Sequence, residues 1–212
     1  MSIPDNIQYL VHKDIDKVKW DNCIHKASNS LIYASSLYLD AMSKNWDALV
    51  LDDYEAVMPL TWNKKYGIDY LYQPFFTASL GVFGNKLNAS ITQRFLNAIP
   101  KKFIYWEIDL NEQNLLDKEV ADKKIYAVKR VNIFLPLPEN YEKIAAGYSR
   151  LARRKLKNSI QYEVVINTNT EPGIIIDQYS THYEKGNGAV PKTAYKQLLN
   201  LIKTLPAENY RA

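Results

Sequence analysis

The chain has 212 residues, is 47% hydrophobic and carries a formal net charge of +4, which supports a packed core and excludes a chain disordered by its composition. A single cysteine excludes an intramolecular disulfide and fits a reducing compartment, and no run approaches the ~20 apolar residues of a membrane helix. The charge is unevenly spread: residues 1–135 hold 16 basic and 16 acidic side chains, residues 136–212 hold 11 and 7.

That imbalance leads us to expect an anionic partner near the second part of the chain, although +4 is far from the charge of a dedicated nucleic-acid binder. The start, MSIPDNIQYL, lacks the basic opening and apolar run of a signal peptide, so the expected location is cytoplasmic.

In chain order, the short apolar run at 7–11 reads as an opening strand. Asp14 or Asp16 offers an N-cap for a helix with Val18, Trp20, Cys23, Ile24 and Ala27 on one face. Cys23 on that face reads as a small core residue rather than a nucleophile. A second helix is expected over 35–44, with Leu37, Tyr38, Ala41 and Met42 inward. Strands follow at 46–51 and 54–62, joined through Asp52 and Asp53, and at 69–76, where Pro74 sets the end. Short turns between successive strands imply an antiparallel meander. The glycine-containing loop TASLGVFGN (77–85) precedes a helix over 89–102 with Ile91, Phe95, Leu96 and Ile99 on one side. FIYWEIDL (103–110) reads as a strong strand, and 125–137 as one or two more.

NYEKIAAGYSRLARRKLKNS (140–159) reads as one helix with two faces. Tyr141, Ile144, Ala145, Tyr148, Leu151, Ala152 and Leu156 recur at the period of a buried stripe. Against them stand Arg150, Arg153, Arg154, Lys155 and Lys157, more cations than a helix C-terminus needs to complement its last carbonyls. Beyond it come a strand at 162–167, a helix at 172–184, a turn at Gly186-Asn187-Gly188 and a helix at 192–204.

The β-α-α-β-β-β-α-β order of the first part is similar to the GNAT-like acyl-CoA N-acyltransferase fold. Residues 55–85, the FIYWEIDL strand, and the basic helix leading into YEVVIN together resemble the FemABX-type aminoacyl and peptidyl transferases and their uncharacterised bacterial relatives. The resemblance implies an α/β (α+β) fold with a mixed, mainly antiparallel sheet flanked by helices. It divides the chain into a complete GNAT-like domain (1–138), a basic linker helix (139–160) and the β-α-α opening of a second similar unit (161–212). The later strands of that unit are not in the chain, which reads as a truncation of the second repeat.

The implied chemistry is transfer of an acyl or aminoacyl group, from acyl-CoA or aminoacyl-tRNA as donor substrate, to an amine of a phosphate-bearing acceptor. The anion-binding residues expected are Arg150, Arg153, Arg154 and Lys157, because arginine forks grip phosphate oxygens in pairs. Tyr72, Gln73 and Phe75, in the aromatic lip DYLYQPFF, are candidates to line a substrate pocket. Gly81-Val82-Phe83-Gly84-Asn85 has too few glycines for a phosphate cradle of the acyl-CoA type. No catalytic residue is assigned. His12, His25 and His182 are not spaced as metal ligands. Glu107 or Asp109 is the only carboxylate considered as a base, and His182 the only histidine. The rival readings are a non-catalytic module binding RNA or an acidic partner through the same helix, and an inactive fragment of a two-domain transferase.

Overall fold

The computed structural model describes residues 6–116, 125–131, 133, 140–162, 170–183 and 190–205. They form a mixed α+β structure around a mostly antiparallel open sheet flanked by helices. The strands are β1 (Ile7–Leu10), β2 (Asn45–Leu51), β3 (Ala56–Lys65), β4 (Ile68–Leu71), β5 (Phe83–Gly84) and β6 (Phe103–Trp106). The helices are α1 (Lys17–Lys26), α2 (Ser36–Met42), α3 (Ala89–Asn97), α4 (Tyr141–Ala146), α5 (Arg150–Ser159), α6 (Pro172–Tyr183) and α7 (Lys192–Thr204).

The sheet runs β1-β2-β3-β4-β6. Its first four strands are antiparallel, and β6 pairs with β4 in parallel, an arrangement that needs the crossover connection supplied by α3. Both faces of β2 are covered. Trp46, Ala48 and Val50 join Trp20, Cys23 and Ile24 of α1 in one core, while Leu49 and Leu51 join Met58, Leu60, Phe95 and Leu96 in the other. This is why β2 reads as a continuous apolar run rather than an alternation. Pro59 is tolerated inside β3 because it lies between the segment of that edge paired to β5 (Ala56, Val57) and the segment paired to β4 (Trp62 onward).

Asp16 is the cap of α1, its carboxylate accepting from the amides of Val18 and Lys19 at 3.0 and 3.1 Å. The strand expected over 69–76 is β4, and it stops at Leu71 because Pro74 and the positive φ of Phe76 (62°) take the chain out of the ladder. The helix expected to reach 102 ends at Asn97, three residues before Pro100. The strand expected over 103–110 is laddered only to Trp106, with a single further bridge between Leu80 and Leu110. Residues 125–131 and 133 hold no strand, and the rest of the expected 125–137 segment lies outside the described residues. Of the strand expected at 162–167, Tyr162 closes a 3-10 turn and the remainder lies outside the described residues.

The single helix expected over 140–159 is two. Gly147 ends α4, and the Ser149 hydroxyl accepts from the Ala152 amide at 3.1 Å, so a new N-cap starts α5. The apolar stripe expected to be buried along it is not: neither helix holds a buried residue, and Leu151 and Leu156 are 51% and 48% exposed. By contrast α7 docks on α2, with Leu201 buried against Tyr38 and Met42. The Tyr195 ring lies 5.3 Å from Phe76 and 6.4 Å from Tyr179 of α6. No helix among the described residues is long and apolar enough to cross a membrane.

Candidate functional site

The cationic surface is built on α5, whose residues 150–158 are all exposed. Helical spacing puts Arg150, Arg154 and Lys157 on one side. Among the described residues no ion pair joins these three or Lys155 to an acid. Arg153 does something different. Its Nε donates to the Tyr148 carbonyl at 2.9 Å and its Nη2 to the Ala146 carbonyl at 3.2 Å. The fork thereby satisfies carbonyls that the end of α4 leaves open and fastens α4 to α5. The array is therefore three free cations on one face beside a fourth already spent on the backbone.

Tyr72, Gln73 and Phe75 lie where β4 and β6 diverge. Tyr72 is a peg: its Oη accepts from the Lys44 amide at 3.0 Å and its amide donates to the Thr61 carbonyl at 3.1 Å. Burial raises its phenol above the usual range. Gln73 bridges the gap, its Oε1 accepting from the Asp109 amide at 3.4 Å and its Nε2 donating to the Thr77 carbonyl at 3.2 Å. Only Phe75, 46% exposed, offers an open ring. Tyr38 seals the same region from below by donating to the Phe76 carbonyl at 2.7 Å.

Glu107 is exposed, Asp109 is ion-paired with Arg130 at 2.9 Å, and His182 is exposed. No group of histidine, cysteine and carboxylate side chains capable of holding a metal occurs among the described residues. Cys23 is 8% exposed, and burial pushes its thiol up to about 11. Native protein at pH 8 should therefore react with a thiol-specific chromogen far more slowly than protein in denaturant, because the thiolate is the reactive form. Equal rates would place the thiol at the surface.

Sequence reasoning missed a polar cluster at one end of the sheet. Asp47 interrupts the apolar run of β2 and is 4% exposed. One carboxylate oxygen accepts from the His12 amide at 3.0 Å; the other accepts from the Tyr9 hydroxyl and lies 3.4 Å from Lys102 Nζ. Lys102 also donates to Tyr9 Oη at 2.6 Å, and its ammonium lies 4.7–5.4 Å from the ring centres of Phe103, Tyr9 and Trp62. Burial first, then the hydrogen bond and charge of Asp47, hold the Tyr9 phenol protonated well above its ordinary value. Asp40 lies nearby: burial pushes its carboxyl up, but hydrogen bonds from Lys17, Trp46 and His12 outweigh it and leave it below the usual range. A lone aspartate inside an apolar strand was the signal available beforehand.

The loop before α3 is also locked. The Val82 amide donates to Asn114 Oδ1 at 2.6 Å and the Gly84 amide to Asn29 Oδ1 at 3.2 Å. The Val82 carbonyl accepts from Asn29 and Asn114, each at 2.8 Å. No protein-family model matches the chain, and nothing among the curated proteins or the solved structures matches it.

Proposed function

We propose that the chain is an N-acyltransferase-like protein that moves an acyl or aminoacyl group from an activated ester or thioester onto an amine of a phosphate-bearing acceptor. The observation that carries this reading is the sheet: four successive antiparallel strands, then a strand parallel to the fourth reached through α3. With α1 and α2 between the first two strands, that order is the one on which the resemblance to GNAT-like and FemABX-type proteins rests, and the step from fold to activity is one of analogy. The free cations of α5 suit a phosphate on donor or acceptor. The loop before α3 does not take that role, because the amides of Val82 and Gly84 are engaged by asparagines. A mechanism that mainly aligns amine and activated ester needs no dedicated acid–base pair.

A second reading is a module that binds a polyanion without turnover. It is favoured by the carboxylates weighed as a base, one exposed and the other paired with Arg130. Both are tested by incubating the full chain with acetyl-coenzyme A or with a set of aminoacyl-tRNAs, and an amine-bearing nucleoside diphosphate, and reading amide product by mass spectrometry. The transferase reading expects product with one donor class. Product with none, while labelled transfer RNA still binds, would leave the binding module; neither product nor binding would remove both.

A further inference from the structure

We infer that α5, with the turn that follows it, docks on the surface of an anionic lipid bilayer, its apolar side toward the acyl chains and its cations on the headgroups. The helix has ten residues, far fewer than the ~20 of a membrane span, so it lies along the surface rather than crossing it.

Two observations define the surface. The first is charge. From Lys143 to Tyr162 the chain has no acidic residue, while Arg150, Arg153, Arg154, Lys155 and Lys157 crowd α5. A cluster of about four to eight cations on an amphipathic helix is a recurrent means of holding anionic lipid. The second is the other side of the helix. Ala152, Leu156 and Ile160 stand four residues apart, which places them on one stripe turned away from Arg150, Arg154 and Lys157. Along it Ile160 is 75% exposed, and Tyr162, in the turn beyond, is 77% exposed. Leu151 borders the same side, with Lys155 between it and the stripe. A lysine there keeps its stem along apolar surface while the ammonium reaches the headgroups.

The occupant follows from having to meet both sides at once. A nucleic-acid backbone or a free phosphate takes the cations and leaves Leu156, Ile160 and Tyr162 in water. An apolar protein groove takes the stripe but strips water from the cations without repaying them. A bilayer with anionic headgroups supplies negative charge at the level of the cations and hydrocarbon just beneath. Tyr162 suits the boundary between the two, where an aromatic ring with a polar tip is favoured.

This inference does not rest on the transferase reading, since it concerns where the chain sits, and either can fail alone. The test is co-sedimentation of the full chain with vesicles of phosphatidylcholine alone, and of phosphatidylcholine and phosphatidylglycerol in equal parts. We expect binding to the mixed vesicles, weakening as salt rises, and little to the neutral ones. Arg150→Ala, Arg154→Ala and Lys157→Ala together should weaken it on the order of a hundredfold. Leu156→Ser with Ile160→Ser should weaken it about tenfold and leave the binding of labelled transfer RNA where it was. Both positions are exposed, so this pair should melt with the parent. Ser159→Leu works in the opposite direction. Position 159 shares the apolar side with Ala152 and Leu156, and its hydroxyl donates to the Leu156 carbonyl of its own helix at 2.7 Å, so leucine there should tighten vesicle binding several-fold. No binding to the mixed vesicles overturns the proposal, and transfer RNA binding in its place gives the helix to a nucleic acid. Vesicle binding that the serine pair leaves unchanged overturns it too, because charge alone then holds the chain. If the serine pair lowers the melting point, Ser159→Leu decides instead, and unchanged binding has the same meaning.

Discussion

Gly81→Ala should lower the unfolding free energy by roughly 3 kcal/mol or more, the cost of a strained backbone position combined with a buried clash. Gly81 has φ +103°, a region that L side chains rarely adopt, and a Cβ built there would lie 2.2 Å from Asn114 Oδ1 and 2.9 Å from Leu110 Cδ2. Asn114 is not free to yield. Its Oδ1 accepts from the Val82 amide at 2.6 Å, while its Nδ2 donates to the Val82 carbonyl at 2.8 Å and to Asn111 Oδ1 at 3.2 Å. Asn111 in turn donates to the Leu80 carbonyl at 3.0 Å. Moving Asn114 would strand several of these groups in the interior, where each unpaired one costs about 1–3 kcal/mol. Gly67→Ala is the control. Gly67 has φ +81° with nothing within 4 Å of the added carbon, so it should cost only the conformational penalty, about 1–2 kcal/mol. Urea midpoints of the two variants at equal slope make the comparison. Similar losses would show that the asparagine cradle gives way easily.

The asparagines of that cradle show where sequence reading stops. Asn29, Asn111 and Asn114 converge on one short segment from positions up to 85 residues apart, and an asparagine in a polar stretch looks the same whether it faces water or a buried carbonyl. Local signals fared better. The apolar run of β2, the cap signal at Asp14 or Asp16 and the 3.6-residue pattern of α7 all predicted their elements, because each is decided by neighbours in sequence. The period of the apolar residues in the basic segment predicts one helix, but Ser149, a cap residue in the middle of the pattern, starts a second. A stripe at helical spacing says which residues share a face and nothing about whether another element covers it. The docking of α7 on α2 was invisible for the matching reason: the face was legible, its partner was not. At the candidate site the residue types were readable, but their division of labour was not, since only coordinates separate the Arg153 fork on two carbonyls from the open cations beside it.

That division of labour sets the largest functional effect expected. The triple variant Arg150→Ala, Arg154→Ala, Lys157→Ala should bind labelled transfer RNA on the order of a hundredfold more weakly at low salt. Its plot of log affinity against log salt should flatten by about 2–3 units, since each lost phosphate contact removes about 0.7–0.9 from the slope. Fluorescence anisotropy across a salt series reads both quantities. Arg153→Ala should behave otherwise. Its guanidinium holds the Ala146 and Tyr148 carbonyls, so its loss should loosen the α4–α5 junction. That would appear as faster amide exchange there, with a smaller change in salt slope than Arg154→Ala produces. Lysine at 153 should not restore the protection, because a single ammonium lacks the planar fork that reaches both carbonyls. If the triple variant binds with unchanged affinity and slope, the exposed face of α5 is an ordinary solvated surface, and the anion-binding role assigned to it is lost.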